Sequence, residues 1–263
     1  MRAYTGVIAA SFRNYQTYRA NMLLRVAAGL VGALLQAVIW SAIYAGRPAL
    51  GGFTMGEAVT YVIVSQALIQ ATVVRSGLEL TRRFRSGEIV KDLCLPVDLQ
   101  AYLGAKDIGR SLAASLFVSV PVFLISWAAF GISVPSSAAV WCVFLVAWLL
   151  GVSVLLLLGF LAGVAGVYTQ YGWGTDKLKD AIILFFSRAI LPLDFFPSAL
   201  EHVARALPFQ SAYYLPLSIY VGKTPVSQAI PALCLQAFWC AALLVASRIA
   251  WAAARRRLGL FGG

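Results

Sequence analysis

The sequence is poor in charge. Only 12% of its 263 residues are Asp, Glu, Lys or Arg, about half the share found in soluble domains. Its one histidine, His202, leaves no partner for a histidine-based metal cluster or catalytic dyad. The four cysteines (Cys94, Cys142, Cys234, Cys240) form no CxxC pair, and three lie inside apolar runs, where Cys behaves as a small hydrophobe. No disulfide framework and no metal site is expected. Neither Gly-x-Ser-x-Gly nor His-Glu-x-x-His occurs, so no catalytic residue is assigned. Gly222-Lys223-Thr224 matches only the tail of a phosphate-binding loop. Leu217 stands where that loop needs its first glycine, and Pro225 follows where a helix should continue. No nucleotide site or cofactor is therefore expected on this chain. Arg2 is not followed by an apolar core and a small-residue cleavage site, which argues against a removable leader.

What is present in abundance is apolar surface: 61% hydrophobic residues and a mean hydropathy of +0.83. A bilayer core of about 30 Å takes roughly 20 helical residues per crossing. On that measure the chain reads as an all-α membrane protein, one transmembrane domain over residues 1–263. Its six spans fall at about 22–44, 55–74, 105–130, 138–168, 177–193 and 228–250. The net charge of +11 does not point to nucleic acid, because the basic residues sit at the ends of apolar runs. Seventeen of the 21 Lys and Arg residues fall on one side when both termini are cytoplasmic, the exceptions being Arg47, Arg188, Arg205 and Lys223. The positive-inside rule then sets the orientation.

Residues 1–20 mix Tyr4, Phe12, Tyr15 and Tyr18 with Arg2, Arg13 and Arg19. They suit an amphipathic helix lying in the membrane interface, the alternative being a frayed tail. Thr54-x-x-Glu57 reads as a capping box opening the second span. Gln66 and Gln70 share a helix face that serves helix packing or a substrate path. The fourth span, 31 residues and about 46 Å long, must tilt or protrude. Its Gly159-x3-Gly163 and Ala162-x3-Gly166 offer faces for close helix approach. Asp107 with Arg110, and Glu79 with Arg82 and Arg83, read as local ion pairs. Arg188 lies about 16 Å along a helix from Lys177, near mid-membrane. It is an anion-attracting group on a transport path, or it snorkels outward, or it pairs with Asp194 or Glu201. Six of the ten prolines fall between Pro192 and Pro231. They cut residues 194–224 into pieces too short to cross, which suggests an outer re-entrant or surface-lying helical hairpin.

The most informative stretch is the inner loop, residues 79–103. Ile89, Val90, Leu93 and Leu95 form an apolar stripe flanked by Arg85, Glu88, Lys91 and Asp92, and Pro96 ends it. Such a segment is shaped to dock in a groove on another protein, the alternative being an ordinary solvated loop.

Five stretches carry a family resemblance. Gly87–Asp98 (Gly-Glu-Ile-x-Lys-Asp-Leu-x-x-Pro-x-Asp) resembles the coupling helix of bacterial ABC-type exporter permeases of the type-2 class. Leu191–Pro197, Leu207–Phe209 and Leu215–Gly222 are similar to that family's extracellular hairpin, and Phe12–Asn21 to its interfacial helix. The match runs in order along essentially the whole chain. It implies a permease subunit in the bacterial cytoplasmic (inner) membrane, working with two ATPase subunits that hold ATP and Mg, and with a second permease subunit, identical or related. Arg85, Gly87, Glu88, Ile89, Lys91, Asp92, Leu93 and Pro96 would then contact the ATPase, with Tyr171, Trp173 and Lys177 as a second contact. Gln66, Gln70 and Arg188 are candidates for the substrate path from their polarity within spans, and Arg188 departs from the family, which has a small residue there. Exports across the family include drugs, peptides, lipids and glycans. A gradient-driven secondary transporter is the rival reading, but it calls for internal repeats and acidic residues within spans. Here the acids cluster at span ends. A membrane enzyme or a scaffold without transport explains none of the motifs.

Overall fold

A computed structural model describes residues 2–47, 49–50, 52–94, 96–187 and 207–261, with side chains to residue 256. Helix α1 (Arg2–Thr17) leads into α2 (Arg19–Ile43), and a hairpin of two short strands, β1 (Ala49–Leu50) and β2 (Phe53–Thr54), precedes α3 (Met55–Ala71). Then come α4 (Ser76–Arg85), α5 (Ile89–Leu93) and α6 (Leu99–Ala114). A π turn at Ser115–Ser119 carries α6 into α7 (Val120–Phe130), and α8 (Ala138–Thr169) and α9 (Gly172–Phe186) follow. A 3-10 turn (Pro208–Ser211), α10 (Tyr214–Tyr220) and α11 (Val226–Phe261) complete the described chain.

Five helical stretches are long and apolar enough to cross a bilayer: Arg19–Ile43, Met55–Arg85, Leu99–Phe130, Ala138–Thr169 and Val226–Arg256. The protein is a multi-pass membrane protein. The expected fifth span is represented by α9, whose 15 residues are too few to cross alone at about 1.5 Å each. The remainder of that span, Arg188 included, and residues 194–206 of the expected hairpin lie outside the described residues.

The capping box at α3 forms as its spacing requires: the Thr54 side chain accepts from the Glu57 N–H and the Glu57 carboxylate accepts from the Thr54 N–H. Helix α3 is the innermost helix, with Tyr61, Val62, Ile63, Val64 and Leu68 all buried; a helix apolar all round has no outward face to offer. Helices α2 and α11 lie at the periphery. Leu34, Leu35 and Val38 on one, and Phe238, Val245 and Ile249 on the other, are exposed, as lipid-facing side chains would be. Helix α8 runs unbroken for 32 residues and is the spine against which α4, α9, α10 and α11 pack.

The α4–α8 crossing depends on glycine. A Cβ on Gly77 would stand 2.2 Å from the Gly159 carbonyl oxygen and 2.9 Å from the Gly163 nitrogen. The small-residue pattern of the fourth span therefore meets α4, and the two backbones touch.

The second span, expected at about 55–74, is followed by a break. It stops at Ala71, and Thr72–Arg75 leaves the helix before α4 restarts at Ser76. No Pro or Gly causes this break. Side chains of α6 stabilise it by taking the freed backbone groups: Ser111 Oγ accepts from the Val73 N–H at 2.9 Å, and the Asp107 carboxylate accepts from the N–H groups of Arg75 (3.0 Å) and Ser76 (2.9 Å). Two turns further along, Ser119 donates to the Ala67 carbonyl at 2.7 Å. Residues 107, 111, 115 and 119 are four apart and so line one face. The π turn at the end of that face sits directly before Pro121, whose ring would clash with a carbonyl of a regular helix.

At the far end of α8, α10 is packed in the core through Leu217 and Ile219. Gln236 of α11 donates to the carbonyls of Ser211 (2.8 Å) and Ala147 (3.2 Å), so residues 208–213 insert against the middle of α8. Lys223, from the phosphate-loop look-alike, bonds the Glu57 carboxylate and the Gly52 carbonyl, each within 2.8 Å.

Candidate functional site

The expected docking loop is folded. Gly87 turns the chain from α4 into α5 with φ of +74°, a left-handed conformation that any side chain would strain. Helix α5 then shows two faces. Ile89 is fully buried and Asp92 nearly so, while Val90 and Leu93 are 59% and 41% exposed. Arg85, Gly87, Glu88, Lys91 and Pro96 also lie on the surface. Of the eight residues expected to meet a partner, six thus form one exposed patch, and Ile89 and Asp92 turn inward. Leu95 lies outside the described residues.

Asp92 bonds Arg83 at 2.5 Å, and Arg83 reaches Glu79 at 2.7 Å. Glu79 also binds Lys106 and, at 2.8 Å, Arg110, which in turn binds Asp107 at 2.8 Å. Three carboxylates and three cations are thereby joined across α4, α5 and α6, the carboxylates almost fully shielded from water. The sequence suggested separate local pairs. That reading missed that Asp107, fully buried, caps the restart of α4, and that one continuous network runs from α5 to the helix break. The spacing of Asp107, Ser111, Ser115 and Ser119 was the available signal.

The second expected contact is placed by the same helix. Gly172 packs against Thr81 of α4, where an added Cβ would come within 2.7 Å of the Thr81 Cβ. Thr81 donates towards the carbonyls of Gly77 and Gly163, each at 3.1 Å. On either side of Gly172, Tyr171 and Trp173 are both exposed, their ring centroids 6.4 Å apart. Trp173 and Lys177 also line a cavity beside the helix break.

Gln66 and Gln70 turn towards α2. Gln66 lies over Gly32, and Gln70 packs at Gly29 and accepts a hydrogen bond from Arg25 at 3.2 Å. Beside them α1 lies along α6, with Phe12 against Phe117 and the Tyr4 hydroxyl accepting from the Asp98 N–H at 3.1 Å. Asp98 caps α6 and pairs with Arg248 of α11. Burial raises the Asp98 carboxyl, but the Arg248 guanidinium and the Ala101 N–H outweigh it and hold its pKa below the ordinary carboxylate value.

No curated protein and no solved structure matches the chain. The family model described as "ABC-2 family transporter protein" matches residues 30–260, which takes in α3 to α10 whole and nearly all of α11. A multi-pass helical chain that fits this model from its first span almost to its last residue belongs to the ABC-2 transporter family, as an ABC transporter permease.

Proposed function

We propose that the chain is the transmembrane subunit of an ATP-driven exporter and that α5 receives the force of ATP binding from a separate ATPase. The basic end of the bundle, with both termini and α5, would face the cytoplasm of a bacterial cell, and α10 would face outward. Two ATPases, carrying ATP and Mg, would serve a pair of permease subunits, each chain contributing one α5.

The observation that carries this reading is the two-sidedness of α5. Its outer face presents Val90 and Leu93 to solvent, an apolar pair with no role in the chain's own core. Its inner face is tied through Asp92, Arg83 and Glu79 to Asp107, which holds the backbone at the start of α4. A push on α5 would reach the break in the second span through charge-assisted hydrogen bonds rather than through a loose loop. Tyr171 and Trp173, supported by the same α4, would form the second bearing surface.

The test is purification of the full chain from its membranes under gentle conditions. An ATPase should copurify. Val90→Asp/Leu93→Asp should detach it, whereas Asp92→Asn should leave it attached but loosen the link between ATP hydrolysis and transport. Absence of any ATPase from the native preparation would overturn the proposal in favour of a gradient-driven carrier.

A further inference from the structure

A cavity of about 690 Å³ opens where the second span is broken, bounded by the first turns of α2, by α9 along its length and by residues 72–75. Its size falls in the range of small-molecule sites, about 300–1,000 Å³. One part of its wall is apolar, made by Ile69, Val74, Leu78 and Leu184. The other part is cationic. Lys177 and Lys179 also lie there, but they are paired with Asp180 and Asp176. Arg25 and Arg75 meet no carboxylate among the described residues. Arg25 is held by two neutral groups, the Tyr15 hydroxyl at 2.6 Å and the Gln70 side chain, which fix its position without neutralising it. Arg75 projects from the helix break, its own N–H anchored by Asp107. It also borders a second cavity of about 320 Å³, lined further by Arg82.

Two guanidinium groups that meet no carboxylate among the described residues, Arg25 held in place and Arg75 free to turn, stand beside an apolar wall and suit an anion attached to something greasy. Guanidinium forks match phosphate and carboxylate oxygens, and basic pockets between membrane helices suit anionic lipid headgroups. We propose that this cavity is the substrate-loading site, and that it takes an amphiphile whose phosphate headgroup carries net negative charge. Arg25 and Arg75 hold the phosphate, and Val74, Leu78 and Leu184 receive the first part of the chain. The inference rests on the transport reading above and adds the substrate class to it. It also joins recognition to force: the residue that binds the anion stands at the backbone step held by the charge network.

The experiment is equilibrium binding of radiolabelled dioleoylphosphatidylglycerol to the full chain in neutral detergent, with no ATPase present. Dioleoylphosphatidylcholine and inorganic phosphate serve as competitors. Saturable binding is expected, about tenfold weaker in Arg75→Gln, the size of one charge-assisted hydrogen bond lost. Arg25→Gln should weaken it likewise, and Arg25→Lys should restore only part of it, since it keeps the charge but not the fork. Arg75→Gln guards against misfolding, since the groups that anchor residue 75 contact its backbone. Equal binding of the two lipids, unchanged in both glutamine variants, would show non-specific lipid and overturn the proposal. Displacement by inorganic phosphate at the same concentration as by unlabelled lipid would also overturn it, because the site would then hold a free anion. Because the measurement omits the ATPase, a failure here leaves the copurification test of the transport reading intact.

Discussion

At the end of the bundle that carries α5, six charged side chains from α4, α5 and α6 are tied together out of water. At the opposite end, Trp141, Phe144 and Tyr220 meet edge to face with centroids 5.5–5.7 Å apart. There Lys223–Glu57 pairs at the rim. The contrast is physical. Aromatic packing has one good arrangement, and leaving it opens voids. A charge network has several, because each cation can exchange one carboxylate for another. The end proposed to receive force is the one whose contacts can be traded, and the end proposed to face outward is the one that resists rearrangement.

The strongest way to break this comparison is to remove the hub of the network. Glu79→Gln leaves Arg83, Lys106 and Arg110 partly buried without their shared carboxylate. Breaking a buried ion pair from one side costs about 3–5 kcal/mol. The midpoint of thermal unfolding in detergent should fall on the order of 10 °C. Glu57→Gln, which removes the rim pair with Lys223, should cost less than about 1 kcal/mol. Equal losses from the two changes would mean that the buried network is no more than a set of surface pairs.

A smaller effect separates the ends by sterics alone. At Gly77 an added methyl meets backbone atoms of α8, which cannot rotate away, so Gly77→Ala should destabilise by about 1–3 kcal/mol. Gly56, in the first turn of α3, has nothing within 4 Å. Gly56→Ala should stabilise by up to about 1 kcal/mol through helix propensity. Chemical denaturation of the two variants side by side gives the sign of each.

These residues also show what was legible. The capping box of Thr54 and Glu57 and the glycines of α8 could be read because both signals are local: a fixed spacing on one helix. The partner of those glycines could not, since nothing near residue 159 names Gly77. The break at Thr72–Arg75 is the sharpest case. Two β-branched valines there weaken a helix only slightly, and what stabilises the break is Asp107 and Ser111, more than 30 residues away. Of the expected stripe on α5, Val90 and Leu93 are exposed while Ile89 turns inward with Asp92, because five residues are too few for helical periodicity to choose a face.

A third prediction tests the charged end by pH. The Asp98–Arg248 pair joins α6 to α11, and Asp98 is held below its ordinary value of about 3.9. A carboxyl depressed in the folded state contributes fully above its unfolded value and loses that contribution as pH falls through the lower folded value. Native protein and Asp98→Asn should therefore converge in melting temperature only below about pH 4. Both side chains are well exposed, so the gap at neutral pH is small. A gap that persisted through acid would show that the carboxylate charge contributes nothing.

The smallest effect belongs to the aromatic end and has the opposite sign. The Tyr220 hydroxyl is buried with no hydrogen-bond partner among the described residues, and a buried unsatisfied polar group is a cost. Tyr220→Phe keeps the ring that packs on Trp141 and Phe144 and removes only that oxygen. Stability should stay level or rise by up to about 1 kcal/mol. If this end is held by shape alone, deleting its polar atom is harmless, whereas deleting the Glu79 charge at the other end is not. A measured loss above about 1 kcal/mol in Tyr220→Phe would mean that the hydroxyl finds a partner when the protein sits in its membrane, and the division between a polar end and an apolar one would fail at that residue.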